Sequence, residues 1–161
     1  MIRLVIVDDM PDIRNYLAEE LAAASEQFSV VGAAENGTEA VKLVDSLLPD
    51  VVLMDIQMKT RTEGIYAIRI IHEKHPDIKC IALTIHEDDE LIFQAYLAGA
   101  ADYIIKTRSI DTIKNSILAV VNNRLLLRPE VGQRLIQEYQ RVQNQENRMK
   151  ETMPVSYTHL T

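Results

Sequence analysis

Four short, nearly continuous apolar runs recur along the chain, Leu4 to Val7, Val30 to Ala34, Val51 to Met54 and Ile78 to Leu83, and a fifth, Tyr103 to Ile105, follows them. Hydrophobicity that runs on without alternating implies strands covered on both faces, as in a parallel sheet packed between helices. The intervening stretches repeat their apolar residues at the helical period. Pro11 to Glu26 sets Ile13, Tyr16, Leu17 and Leu21 on one stripe, and Thr38 to Leu48 does the same with Ala40, Val41, Val44, Leu47 and Leu48. Gly64 to His75, Asp88 to Ala98 and Asp111 to Asn122 complete the series, the last with Ser109 as its cap and Asp111 in its first turn. The run Glu87-Asp88-Asp89-Glu90 is most simply an acidic first turn of the fourth helix. Five strand-helix units in this order predict a doubly wound α/β domain.

The pattern changes after Arg124 to Arg128, where Pro129 opens a further helix with Val131, Leu135, Tyr139 and Val142 near one face. The expected division is therefore a domain over residues 1–123 and a helical extension over 124–161. Gln143 to Glu151, rich in amides and charges, is expected to fray, and the last ten residues read as linker. Residues 1–123 carry 20 acidic groups against 11 basic ones, so the body repels a nucleic-acid backbone, whereas residues 124–161 carry 6 basic and 4 acidic groups. No apolar run is long enough to span a bilayer, and the start enters a strand-like segment at once, so the sequence predicts a cytoplasmic protein without a membrane partner. The single cysteine, Cys80, lies inside an apolar run and reads as a small buried hydrophobe. His72 and His75 share a helical face but lack a third ligand for zinc.

In doubly wound sheets ligands bind beyond the carboxyl ends of the strands. Four of the five expected strands deliver polar groups to that edge: Asp8 and Asp9 after the first, Asp55 after the third, Thr84 after the fourth and Lys106 after the fifth. Three converging carboxylates repel one another unless a cation neutralises them, and magnesium, a hard ion content with oxygen ligands, is the natural candidate. Asp55, aimed by the strand before it, can act as a nucleophile toward phosphorus, while Asp8 and Asp9 hold the metal. Lys106 would then meet one phosphoryl oxygen as a compact positive charge, and the Thr84 hydroxyl would donate to another.

The segments LVIVDD, VVLMDIQM, IALT and AGAADYIIK resemble, in order and spacing, the motifs of response-regulator receiver domains over residues 2–123. Any one of them is weak, but the four together are specific. The resemblance implies a flavodoxin-like sheet of order 2-1-3-4-5 flanked by five helices, with a C-terminal helical extension. It implies phosphotransfer from a sensor histidine kinase to Asp55, metal contacts from Asp9, Asp55 and the backbone carbonyl of Gln57, with Asp8 acting through water, and a switch formed by Thr84 and Tyr103. Dimerisation on phosphorylation is expected through the first and fifth helices, or through the surface from the fourth helix to the fifth strand. The tail resembles the NarL/LuxR branch: Pro129 to Glu151 would be its linker helix, and Leu160-Thr161 would begin a helix-turn-helix domain that the chain lacks, so DNA is expected as a partner only through that missing domain. Two departures stand out. Lys59 replaces a usual proline with Gly64 nine residues after Asp55, one more than is usual, and Thr107 follows the lysine where proline is frequent, so a cis peptide there would form without its help.

Taken singly, these residues have plainer readings: Asp8-Asp9 as a helix cap, Thr84 as a strand-end hydroxyl, Lys106 as a surface charge, Tyr103 as a half-buried aromatic and His86 as a loop histidine. Two other functions share part of the pattern. A magnesium-dependent phosphatase of the haloacid-dehalogenase kind would place a second acid two residues after the nucleophile, where Gln57 stands. A flavin carrier would place Gly, Ser and Thr after the first strand, where Asp8-Asp9-Met10-Pro11-Asp12 stands. A purely structural interaction domain is disfavoured by the presence of Asp55, Thr84 and Lys106 together.

Overall fold

The computed structural model describes residues 1–24, 26–60, 62–85, 87–106, 109–124 and 129–152. Strands β1 (Ile2–Val7), β2 (Phe28–Ala34), β3 (Val51–Asp55), β4 (Lys79–Thr84) and β5 (Asp102–Ile105) alternate with helices α1 (Pro11–Ala22), α2 (Gly37–Leu47), α3 (Glu63–Lys74), α4 (Asp89–Ala98) and α5 (Ile110–Val121). The strands form one parallel sheet in the order β2-β1-β3-β4-β5, as the resemblance to receiver domains implies. Helices α1 and α5 pack together on one face, and α2, α3 and α4 follow one another on the other.

The unbroken apolar runs serve both faces because successive side chains of a strand point opposite ways. Leu4, Ile6, Leu53, Ile81 and Leu83 join Leu17, Leu21, Ile113 and Ile117 in one core under α1 and α5. Val5, Val7, Val52, Met54 and Ala82, at the alternate positions, are equally buried. Cys80 is buried as expected, and the apolar surroundings push its thiol up to about 12.

The helix starts have legible causes. Ser109 caps α5 by accepting a hydrogen bond from Thr112 N, and Asp88 caps α4 by accepting from Glu90 N and Leu91 N. Glycine is required at Gly99, whose φ of 113° is left-handed and whose missing Cβ makes room for the His72 ring. Helix α1 ends at Ala22, short of the predicted Glu26, because the amide of Ala24 turns back to Leu21 O and that of Gln27 to Ala24 O.

Among the described residues, those from Pro129 to Thr152 belong to a second unit, distinct from the one that holds the sheet. Its helix α6 (Pro129–Thr152) runs through the amide-rich segment expected to fray, since Gln, Glu, Arg, Lys and Met are all good helix formers. Its Tyr139 and Val142 are exposed, and the Val131 side chain, like residues 125–128 and 153–161 with Leu160 and Thr161, lies outside what is described. Among the described residues no helix is long and apolar enough to cross a membrane.

Candidate functional site

Parallel pairing brings the carboxyl ends of four strands to one edge, with Val7 opposite Met54, Asp55 opposite Leu83 and Thr84 opposite Ile105. Asp8, Asp55 and Thr84 are all buried there, although each is polar, while Asp9 is exposed. Carboxylate oxygens of Asp8, Asp9 and Asp55 lie within 4.8 Å of one another. Lys106 reaches across from the end of β5: its Nζ donates to Asp8 Oδ2 at 2.6 Å and lies 3.1 Å from Asp55 Oδ2. The second contact is the longer of the two ion pairs, and Asp55 Oδ2 is a buried oxygen outside the hydrogen-bond network.

The plainer reading of Asp8 as a cap of α1 does not hold. Met10 is the cap residue and offers no side-chain bond, while Asp8 Oδ1 accepts from Met10 N at 2.9 Å within the turn. Arg14 secures the same turn by donating to the Asp8 backbone carbonyl at 2.8 Å. Asp55 Oδ1 is held by Gln57 N at 3.1 Å. Burial raises the Asp55 carboxyl to about 6: the desolvation outweighs the lowering effect of Lys106, and the Asp8 charge adds to the rise.

Thr84 donates to the side-chain carbonyl of Gln57 at 3.4 Å, and Tyr103, at 3 % exposure, has its ring in the interior rather than half-exposed. The segment after Asp55 has supports that the sequence did not reveal. Glu63 bridges it to α2, its carboxylate accepting from Lys59 N at 3.2 Å and from Gly37 N at 3.1 Å. Gly64 packs onto the strand end so closely that a Cβ there would lie 2.0 Å from Asp55 O and 2.4 Å from Ile56 Cα. That contact explains a glycine at position 64 despite the extra residue in the loop. His86 and Thr107 lie outside the described residues.

Three oxygen donors with one orphaned buried oxygen suit a hard divalent cation and do not suit zinc, which favours nitrogen and sulfur. The chain also matches the family model described as the response regulator receiver domain over residues 4–118. This chain belongs to the response-regulator receiver family. Its relatives are regulators of the NarL/LuxR type. Transcriptional regulatory protein YdfI of Bacillus subtilis is 36% identical over 148 residues, covering 91% of this chain and 68% of that protein. Transcriptional regulatory protein DegU of Brevibacillus brevis is 34% identical over 145 residues, covering 90% of this chain and 61% of its own length. The chain thus spans about two thirds of the curated relatives it matches. Among solved structures, a two-component response regulator of the LuxR family from Aurantimonas sp. SI85-9A1 superposes with a TM-score of 0.73 at 27% identity, covering 86% of this chain and 98% of that one.

Proposed function

We propose that Asp55 accepts a phosphoryl group from the phosphohistidine of a sensor kinase, and that the resulting charge switches a dimerisation surface. The observation that carries this reading is the buried pairing of Lys106 with both Asp8 and Asp55, which leaves one Asp55 oxygen without a hydrogen-bond partner at the mouth of an acidic cluster.

A carboxylate oxygen of Asp55 attacks phosphorus, the bond from phosphorus to the histidine nitrogen breaks, and its electron pair leaves with the imidazole. The strand end and Gln57 N hold Asp55 in place for that attack. When bound, magnesium on Asp8, Asp9, Asp55 and the Gln57 backbone carbonyl supplies the positive charge that the acids lack. Lys106 and the Thr84 hydroxyl then receive the phosphoryl oxygens. Drawing Thr84 toward phosphate breaks its long bond to Gln57 and alters the packing beside Tyr103, which biases the surface from α4 to β5, or that of α1 and α5, between two arrangements. The same residues carry out their own phosphorylation from small donors and the later hydrolysis. In a longer regulator of this type the dimer acts in the cytoplasm on DNA through a C-terminal helix-turn-helix domain, with residues 1–123 as receiver and 124–161 as linker.

Incubation with acetyl phosphate and magnesium, followed by intact-mass measurement, tests the assignment. One phosphoryl group should add to the parent chain and none to Asp55→Asn; equal labelling of both would overturn it.

A further inference from the structure

Helices α2 and α3 are tied to each other at both ends. At their N-terminal ends Gly37 N donates to Glu63 Oε1 at 3.1 Å. At their C-terminal ends Asp45 accepts from Lys74 Nζ at 3.2 Å and pairs with His75 Nε2 at 2.8 Å. Between the ties the helices part around a groove of about 550 Å³, within the range of roughly 300–1,000 Å³ typical of small-molecule sites. Its walls are chiefly apolar, with Val41, Ala67 and Ile70 along them and the Tyr66 ring 64% exposed. The eight helical rises from Gly37 to Asp45 set the slot at about 12 Å long.

The charges in the slot are unequal in their satisfaction. Asp45 is ion-paired with Lys74 and hydrogen-bonded to His75, and the Glu63 carboxylate accepts from two backbone amides. Lys42 is exposed on the same wall and, among the described residues, has no ion-pair or hydrogen-bond partner. An apolar slot with one unmatched ammonium complements an apolar body bearing one negative charge.

We propose that this slot binds a small organic anion, an aromatic or short acyl body of at most about 12 Å with a single carboxylate or sulfonate placed against Lys42. The site stands apart from Asp55 and does not depend on the phosphorylation chemistry. It does touch the segment that follows Asp55, because Thr60, Thr62 and Glu63 line it.

The test uses the whole chain and 8-anilinonaphthalene-1-sulfonate as the anionic probe, with the uncharged N-phenyl-1-naphthylamine beside it. Fluorescence titration should show saturable binding of the anion to one site. Lys42→Glu, a change at an exposed position, should weaken the anion at least tenfold while altering the neutral probe less than threefold. Ile70→Glu, which sets a negative charge in the slot itself, should also weaken the anion. Tyr16→Glu, on the far side of the sheet, should leave it unchanged. An anion affinity indifferent to Lys42→Glu, or one abolished by Tyr16→Glu, would overturn the proposal.

Discussion

Replacing Asp55 by asparagine should make the metal-free protein more stable at neutral pH, although it removes the residue at the centre of the proposed chemistry. Asp55 titrates near 6 in the folded chain against 3.8 for an ordinary aspartate, chiefly because burial opposes its charge. A carboxyl raised in the folded state binds its proton more tightly there than in the unfolded chain, so its contribution is fully present below pH 3.8 and is lost as pH rises through 6. At 1.36 kcal/mol per pKa unit the ionised form costs up to about 3 kcal/mol at pH 8, and about half that at pH 5. Water reaching the site reduces both figures, to about 1–2 kcal/mol at pH 8, and preserves the trend. Asparagine avoids this cost and strands no charge, because Lys106 keeps its 2.6 Å bond to Asp8.

The assay is urea unfolding of parent and Asp55→Asn in chelator, followed by far-ultraviolet circular dichroism because the chain has no tryptophan. The variant should be the more stable at pH 8, and its advantage should shrink steadily toward pH 4. Saturating magnesium should narrow the gap at pH 8, since it stabilises the parent by mass action and the variant has lost a ligand. A variant less stable than the parent at pH 8, or a gap independent of pH, would refute the argument that desolvation dominates at Asp55.

The opposite outcome is expected for Lys106→Ala, which leaves Asp8 and Asp55 buried without their cation: a loss of about 3–5 kcal/mol in chelator, partly restored by magnesium, as read by the same unfolding curves. Magnesium binding should survive that substitution by calorimetry while the response to acetyl phosphate disappears. Gly64→Ala forces a methyl group against the backbone of Asp55 and Ile56 and should cost about 3 kcal/mol or more, visible as a lowered urea midpoint. Phosphoryl donor with magnesium should raise the mass measured by light scattering in the parent and leave Asp55→Asn unchanged.

The parts of this molecule legible in the sequence are those set by short-range periodicity. Central strands buried on both faces, such as Val51–Asp55 with every residue buried, announce themselves as apolar runs. In the edge strand β2 the polar Ser29 interrupts the apolar run, so the buried Phe28 falls outside the stretch that marks it. Arg3 hides the start of β1 in the same way, although it lies within the sheet. The acidic edge was readable because parallel topology turns strand ends into neighbours. The ties that fix its loop were not: Glu63 and Gly37 are 26 residues apart, and neither a helix-start acid nor a glycine names a partner. Tyr103 was equally undecidable, since one aromatic in a short strand packs inward or outward according to helices that lie elsewhere in the chain.

On the proposed reading, the order of events at the sheet edge follows from its charges. Asp8, Asp9 and Asp55 face a single ammonium, so an incoming phosphoryl group meets a net negative site until a divalent cation offsets it. A divalent cation held by these three acids would supply that offset. Lys106 in turn cannot serve both the resting carboxylates and the phosphoryl oxygens without exchanging a partner. Its two contacts are unequal: the one to Asp8 is a hydrogen bond of 2.6 Å, whereas the one to Asp55 is an ion pair of 3.1 Å. The weaker contact is the one that phosphorylation replaces. Asp8 thus acts as the anchor of Lys106, keeping its ammonium within reach while Asp55 changes from carboxylate to acyl phosphate. An arrangement with equal contacts would hold the lysine to the very oxygen that must be free to react.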